Sequence, residues 1–530
     1  MSQSDAIIVG GGHNGLVTAC YLAKAGLEVT VLERRDVVGG AAVTEEVWPG
    51  FRVSVAAFTM SLLQPRIMID LDLRRHGIEI VRTPAGIQQF SGGRCLTLHA
   101  DTARMAEEIR PFSPHDAEAY PRFVAHMDAM MPVLRRLIFE TPVDPSTGRI
   151  ADIARTLRLA WRMRDAGPRF YDVWDLLTLS AVDFLRRWFE SDVVLTMLGC
   201  YASGSGGNMS PRTPGSAYVL ARPLLRDPAT EAGPGGLPVG GMGAVTQALL
   251  KAARELGVDV RTNAEVARIE VQDGRAREVV LTTGERLGAR VIAASLPITH
   301  LYGRLIEPQH LPPEVLDRTR RVRTESSCFK INLATEQPPR WTGFDQTSAG
   351  GSHPGSVTIA ESIGELEEAF EAARHGRMAE RPYLWIMTPS VFDPSVAPPG
   401  RHTVSVFGGH VPYRLAGREW DDEAREELYH IVMRQICRFA PGFDNSVIHK
   451  QVLVPQDIER IFALPGGHVH HGEMSLDQIF FRRPFAHHAR YRSPIANLYI
   501  CGASAHPGGG VTGVPGHNAA REILRDLRVR

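Results

Sequence analysis

The chain has 530 residues, too many for one compact core, so two interwoven domains are expected. Its 59 Lys and Arg residues balance 59 Asp and Glu residues, which removes the clustered positive charge that nucleic-acid binding relies on and suits an enzyme of small molecules.

Asp5 to Val9 reads as a short apolar strand that starts almost at Met1, leaving no room for a secretory leader, so a cytoplasmic protein is expected. Asn14 to Ala25 carries alanine and leucine at helical spacing, Gly26 stops it, and Glu28 to Glu33 is the second strand of a βαβ unit. Between the first strand and the helix stand Gly10, Gly11, Gly12, His13, Asn14 and Gly15, a G-x-G-x-x-G pattern. Gly10 permits a tight turn, Gly12 lets backbone N–H groups approach a pyrophosphate, and Gly15 lets the helix pack close to the sheet. The helix N-terminus adds partial positive charge toward the phosphates. Glu33 stands where the fingerprint places the acid that accepts hydrogen bonds from adenosine ribose hydroxyls. Arg34 and Arg35 could clamp the 2′-phosphate of NADP, but the Glu33 carboxylate would repel that phosphate. A second glycine turn, Gly39-Gly40-Ala41-Ala42, follows too closely to open another domain.

Helical spacing predicts helices over Ala117 to Leu137, Ile150 to Ala166 and Asp172 to Phe189. In the second of these, Leu157, Trp161 and Met163 stand among four arginines between Arg155 and Arg164. Two readings stay open: a packed helix with a solvated basic face, or peripheral contact with an anionic membrane surface. Asp227 to Pro238 is the best linker candidate. A helix from Gly243 through Leu256 is followed by strands over Val258 to Thr262, Ala264 to Val271, Arg277 to Leu281 and Arg290 to Ser295. Further on, strands are predicted over Tyr383 to Thr388 and His402 to Phe407, and a helix over Glu423 to Phe439. The run Gly467-His-Val-His-His-Gly-Glu473 places His468, His470 and His471 in a glycine-bounded loop without the usual Cys or helical partners of a metal site, so no metal is expected. None of the six cysteines forms a Cys-x-x-Cys pair, which points to reduced thiols rather than a redox dithiol.

The tail has a strand from Asn497 to Gly502 and then Ala503, a glycine-rich turn through Gly508, Gly510, Val511 and Gly513, and a helix from about Gly516 to Leu527, with Gly502, Ala503, Gly510, Val511 and Val514 as candidate cofactor contacts. The turn repeats the dinucleotide spacing, but too few residues follow for a second βαβ unit. It can still aim N–H groups and a positive helix end at an electron-rich group such as the edge of a reduced flavin. His506 lies in this turn and reads either as a proton-transfer group or as a hydrogen-bonder that holds the turn.

Four stretches, Ala6 to Val53, Gly235 to Leu249, Pro455 to Pro484 and Ser504 to Ala520, resemble the phytoene-dehydrogenase-related flavoproteins. Within them the likeness is strongest to the pyridine nucleotide-disulfide oxidoreductase domain-containing protein 2 subgroup. The resemblance implies an α/β, Rossmann-like FAD-binding domain of the amine oxidase and phytoene desaturase type, assembled from residues 1–90, 226–300 and 455–530. An α+β substrate domain would use residues 91–225 and 301–454. By the same resemblance Gly40, Ala41 and Ala42 run past the FAD pyrophosphate, Val266 grips the adenine, and His471 occupies the His-Gly position of a loop over the flavin, where it joins His506 as a candidate catalytic group. A disulfide reductase is not expected, because that chemistry requires a low-pKa dithiol.

The function implied is removal of a hydride from a C–C or C–N bond of a mostly apolar small molecule, with electrons passing to oxygen or a quinone-like acceptor. Flavin amine oxidation, isomerisation by reduced flavin, and a binding or assembly module without turnover remain as alternatives. Homo-oligomerisation and covalent attachment of the flavin stay open.

Overall fold

A computed structural model describes residues 4–144, 146, 150–162, 164–204, 207–226, 236–345 and 351–529. Residues 227–235 of the expected linker, and Met163, lie outside the described residues.

The first sheet begins with β1 (Ser4–Val9), whose Ala6 to Val9 are buried, and the helix α1 (His13–Lys24) leads to β2 (Val29–Leu32). β1 pairs in parallel with β2 on one side and with Arg286–Ala294 on the other, so Ile7 lies between Thr30 and Ile292. Strands buried on both faces read as continuous apolar runs, which is why this segment was legible as sheet. Arg286–Ala294 changes partner along its length. Its first half pairs antiparallel with Arg275–Leu281, with Gly288 opposite Glu278, while its last residues also pair in parallel with Leu498–Ile500. The outermost strands are Val266–Gln272 at one edge and Asp259–Arg261 at the other.

The two chain ends meet on this sheet. The terminal helix Val514–Leu527 packs on α1, and the Thr18 hydroxyl donates to the Gly516 carbonyl at 3.2 Å. A Cβ on Gly516 would stand 2.2 Å from the Asn14 carbonyl oxygen, so only glycine permits this approach. The terminal helix begins at Val514, two residues before the expected Gly516, with Pro515 in its first turn, where the missing N–H costs nothing.

The second sheet runs in the order Val447–Leu453, Cys328–Thr335, His402–Gly409, Tyr383–Met387, Val357–Ile359, Gly86–Phe90, Arg94–Leu98. All its pairings are antiparallel except that of Gly86–Phe90 with Val357–Ile359. The helix Asp422–Cys437 seals one face through Leu428, Val432 and Ile436 against Ile331, Val404 and Val406. Gly86–Phe90, within the first segment ascribed to the FAD domain, therefore hydrogen-bonds in the second sheet, because its partner strand comes from residue 357 onward.

The helix Pro114–Phe139 is capped by Ser113, whose hydroxyl accepts from the Asp116 N–H. The helix expected over Ile150 to Ala166 ends at Arg162. That expected over Asp172 to Phe189 is two helices, Phe170–Thr178 and Ala181–Leu185. Ser180 restarts the chain as an N-cap, accepting from the Asp183 N–H, and this local bond overrides the continuous apolar spacing.

Candidate functional site

A cavity of about 280 Å³ lies against both sheets. One wall is the first glycine turn. Gly10 N–H donates to Leu32 O at 2.8 Å, closing the turn on β2, and Gly10 takes a φ of +100°, a conformation open to glycine. The Glu33 carboxylate is buried and bridges the turn, accepting from Gly11 N–H at 2.8 Å and from Arg35 N–H at 3.0 Å. Gly12 has open space where a side chain would project, and no side chain caps the first turn of α1. Gly39 N–H donates to Gly11 O at 2.9 Å, which brings Gly40, Ala41 and Ala42 alongside the turn and into the cavity wall.

Gly10, Gly12, His13, Asn14, Glu33 and Arg34 line the cavity, as does Val266. Arg34 turns its guanidinium to the Ile461 carbonyl. From the other end of the chain, Ala503, Gly510 and Val511 line it, together with His471. Gly15, Gly502 and Val514 do not. A Cβ on Gly15 would stand 2.1 Å from Gly10 O, and one on Gly502 would stand 2.9 Å from the Ser295 carbonyl carbon, so both glycines serve close packing. Val514 is wholly buried in the core. His506 is also absent from the lining: its Nε2 meets Leu137 O at 3.0 Å and its ring packs 5.6 Å from that of Phe480. It is thus turned to the helix Pro114–Phe139, and burial depresses its pKa to about 4, which keeps the ring neutral.

His13 joins the two turns. Burial lowers its pKa to about 4, opposed by a hydrogen bond with the Gly510 backbone. His471, at a φ of +59°, is lowered to about 3 by burial and by the nearby Arg483 cation. Asn14 Oδ1, His13 Nε2 and His471 Nδ1 are buried polar atoms on the cavity lining that find no hydrogen-bond partner among the described residues. Such atoms are costly unless something satisfies them. Together with the open Gly12 backbone and the uncapped helix end, they fit a flavin carrying an anionic pyrophosphate.

Three buried cations behind the cavity escaped the sequence reading. Arg483 donates to the carbonyls of Ala503 (2.9 Å), Glu473 (2.9 Å), Gln478 (3.0 Å) and His470, and burial lowers its pKa to about 9. Arg222 donates to Gly509 O at 2.9 Å and to His470 Nε2 at 3.2 Å. Among the described residues neither arginine has an ion-pair partner. Lys330 is buried in the second sheet, held by Asn332 Oδ1 and Ser405 Oγ, and lies 5.2 Å from the centre of the Phe58 ring. Burial brings its pKa down to about 7. No local pattern marks these residues: Arg222 reaches partners 248 and 287 residues away, and the nearer partners of Arg483 are backbone carbonyls, which any residue type supplies; only the inclusion of Arg483 in the family-like stretch hinted at a role.

The wall facing the glycine turn is apolar. Phe58, Trp385 and Phe407 form it, with Phe58 edge-on to Trp385 at 5.1 Å and stacked on Phe407 at 5.7 Å. Among the described lining residues the only carboxylates are Glu33 and Glu265. Both sit at the β2 end, where Ala264 N–H donates to Glu33 O at 2.8 Å. All six cysteines are free.

A family model described as flavin containing amine oxidoreductase matches residues 15–524. The rat pyridine nucleotide-disulfide oxidoreductase domain-containing protein 2 is 38% identical over 554 residues, covering 99% of this chain and 94% of that protein. One of the subunits of limonene dehydrogenase from Castellaniella defragrans is 29% identical over 545 residues, covering 99% of this chain and 95% of its own length. Among solved structures, putrescine oxidase bound to putrescine superposes with a TM-score of 0.62 at 17% identity over 100% of both chains, a likeness of fold.

Proposed function

Because the chain belongs to the flavin containing amine oxidoreductase family, we propose that it uses FAD to remove a hydride from a C–C or C–N bond of a mostly apolar small molecule. The observation that carries this reading is the division of the cavity, with a dinucleotide turn on one wall and the rings of Phe58, Trp385 and Phe407 on the other. The aromatic wall holds a substrate by dispersion and burial and excludes water from its reacting bond. Among the described residues no carboxylate stands at that end to pair with a cationic amine, which favours a neutral, hydrocarbon-like substrate over a polyamine. The 29% identity to a protein named as part of a limonene dehydrogenase points the same way.

The flavin, when bound, supplies the hydride acceptor. The chain's own part is positioning and charge. Glu33 would hold the adenosine ribose, Gly12 and the α1 N-terminus the phosphates, and Val266 the adenine. His13 and His471 stay neutral and bring donor or acceptor nitrogens to the cavity. Lys330, with a pKa of about 7 behind the aromatic wall, is suited to take up or release a proton at its Nζ at neutral pH.

The test is anaerobic mixing of purified, flavin-loaded protein with monoterpenes and polyenes in one series and with amines in another. Bleaching of the visible flavin absorption by the hydrocarbons and not by the amines is the expected result. Bleaching by amines alone overturns the substrate class, and a protein that carries no flavin after reconstitution overturns the whole reading.

A further inference from the structure

Residues 150–162 form a helix that sits the wrong way round for a soluble surface. Asp152 is only 3% exposed and anchors the helix to the body, accepting from Arg490 Nη1 at 2.7 Å and from Arg155 Nη1 at 3.1 Å. Ile150, Ile153, Leu157 and Trp161, which share one face by their spacing, point outward and are between 49% and 86% exposed. A surface helix normally buries its apolar stripe and leaves its acids in water. The next helix, Phe170–Thr178, buries Val173 and Leu176 but exposes Phe170, Tyr171 and Trp174. The Phe170 and Trp174 rings stack at 6.4 Å and 18° in the open.

Arginines accompany these rings. Residues 150–178 contain five arginines (155, 158, 162, 164 and 169) against four aspartates (152, 165, 172 and 175), of which Asp152 is buried. Arg158, Arg164 and Arg169 are exposed, and the Arg164 guanidinium lies 4.5 Å from the centre of the Trp161 ring. Large apolar side chains left in water on two consecutive helices are the mark of an interaction surface. Tryptophan and tyrosine beside arginine suit the boundary between acyl chains and anionic headgroups.

We propose that the outward faces of these two helices, centred on Leu157, Trp161, Phe170 and Trp174, dock the protein on an anionic lipid surface. The helices lie in the plane of the interface with their apolar side chains among the upper acyl chains and their arginines among the headgroups. Among the described residues no helix is long and apolar enough to cross a membrane, so the contact is peripheral. The inference stands on this surface alone and does not depend on the substrate reading.

The experiment is co-sedimentation of the full-length protein with vesicles of phosphatidylcholine alone and of phosphatidylcholine with phosphatidylglycerol. Binding to the anionic vesicles, weaker on the neutral ones and reduced by high salt, is expected. The exposed double variant Trp161→Glu, Trp174→Glu is expected to lose about tenfold or more in partitioning while keeping its circular dichroism and flavin content. Arg158→Glu is expected to lose binding to the anionic vesicles with little change on the neutral ones. Three results overturn the proposal: no binding to either vesicle, anionic binding that survives both sets of substitutions, or a dimer in light scattering that the Trp161→Glu, Trp174→Glu variant dissolves, which would make this face a contact between copies of the chain.

Discussion

The glycine turns at residues 10–15 and 508–513 share one spacing and hold their shapes by different means. The first is kept by its own neighbourhood: Gly10 N–H on Leu32 O, Gly11 N–H on the Glu33 carboxylate, Gly39 N–H on Gly11 O. All of these partners lie within the first βαβ unit and the loop after it. The second is braced partly from afar, by Arg222 on Gly509 O 287 residues away, and partly by side chains outside any βαβ unit, by Arg483 on Ala503 O and by the Tyr491 hydroxyl on His506 O, itself held by Asn518 Nδ2. A turn whose backbone groups are met within its own strand–helix–strand unit is a portable motif. A turn held by buried guanidinium groups exists only inside this fold, and its residues cannot be given roles from spacing alone.

The contrast can be broken at three strengths. The largest effect belongs to Gly15→Val, which forces side-chain atoms into the space 2.1 Å from Gly10 O. A loss of about 4 kcal/mol or more is expected, enough to remove soluble, coloured protein. A yellow, stable Gly15→Val protein would show that the first turn tolerates more than its geometry allows.

Arg483→Met comes next, because it strips a buried donor from five carbonyls while leaving the first turn untouched. A destabilisation of about 3 kcal/mol is expected, read as a fall in the midpoint of urea unfolding. Limited proteolysis should open the chain first near residues 470–510. Cleavage that starts instead in the first 50 residues would contradict the separation of the two braces.

The smallest effect is a pH effect. His506 is buried neutral with a pKa of about 4, below the roughly 6.5 of an unfolded histidine. The unfolded chain therefore binds a proton that the folded one refuses, so stability is present above pH 6.5 and lost as pH falls toward 4. At pH 5 the share of this one ring is about 2 kcal/mol. His506→Gln keeps a donor for Leu137 O and removes the titration, so its unfolding free energy should fall less between pH 7 and pH 5 than that of the parent. Equal acid sensitivity in the two proteins would show that His506 is protonated in the fold.

How much was legible follows from where each residue's partners lie. β1, α1 and β2 were read to within a residue or two because apolar runs and glycine breaks encode them locally. The strands from Asp259 to Ala294 were also read, except that Arg286–Ala294 begins four residues before the expected Arg290, since its first half pairs with a neighbour rather than with the main sheet. The break at Ser180 was not read, because one capping hydroxyl outweighed an unbroken apolar spacing. In the site, Gly10, Gly12, Glu33 and Gly40 stand on the cavity wall where a motif put them, whereas His506 shares the tail turn but faces a helix more than 350 residues away in sequence.

The sequence by itself determined the first glycine turn, its acid and the family-like segments at both ends, because these depend on backbone conformation and on neighbours within one strand–helix–strand unit. Only the tertiary structure decided that Phe58, Trp385 and Phe407 share a wall, that Lys330 lies behind it, and that Arg222 and Arg483 grip the tail. Those arrangements arise when two sheets close on each other, and burial then sets the charge of groups whose partners no spacing could reveal.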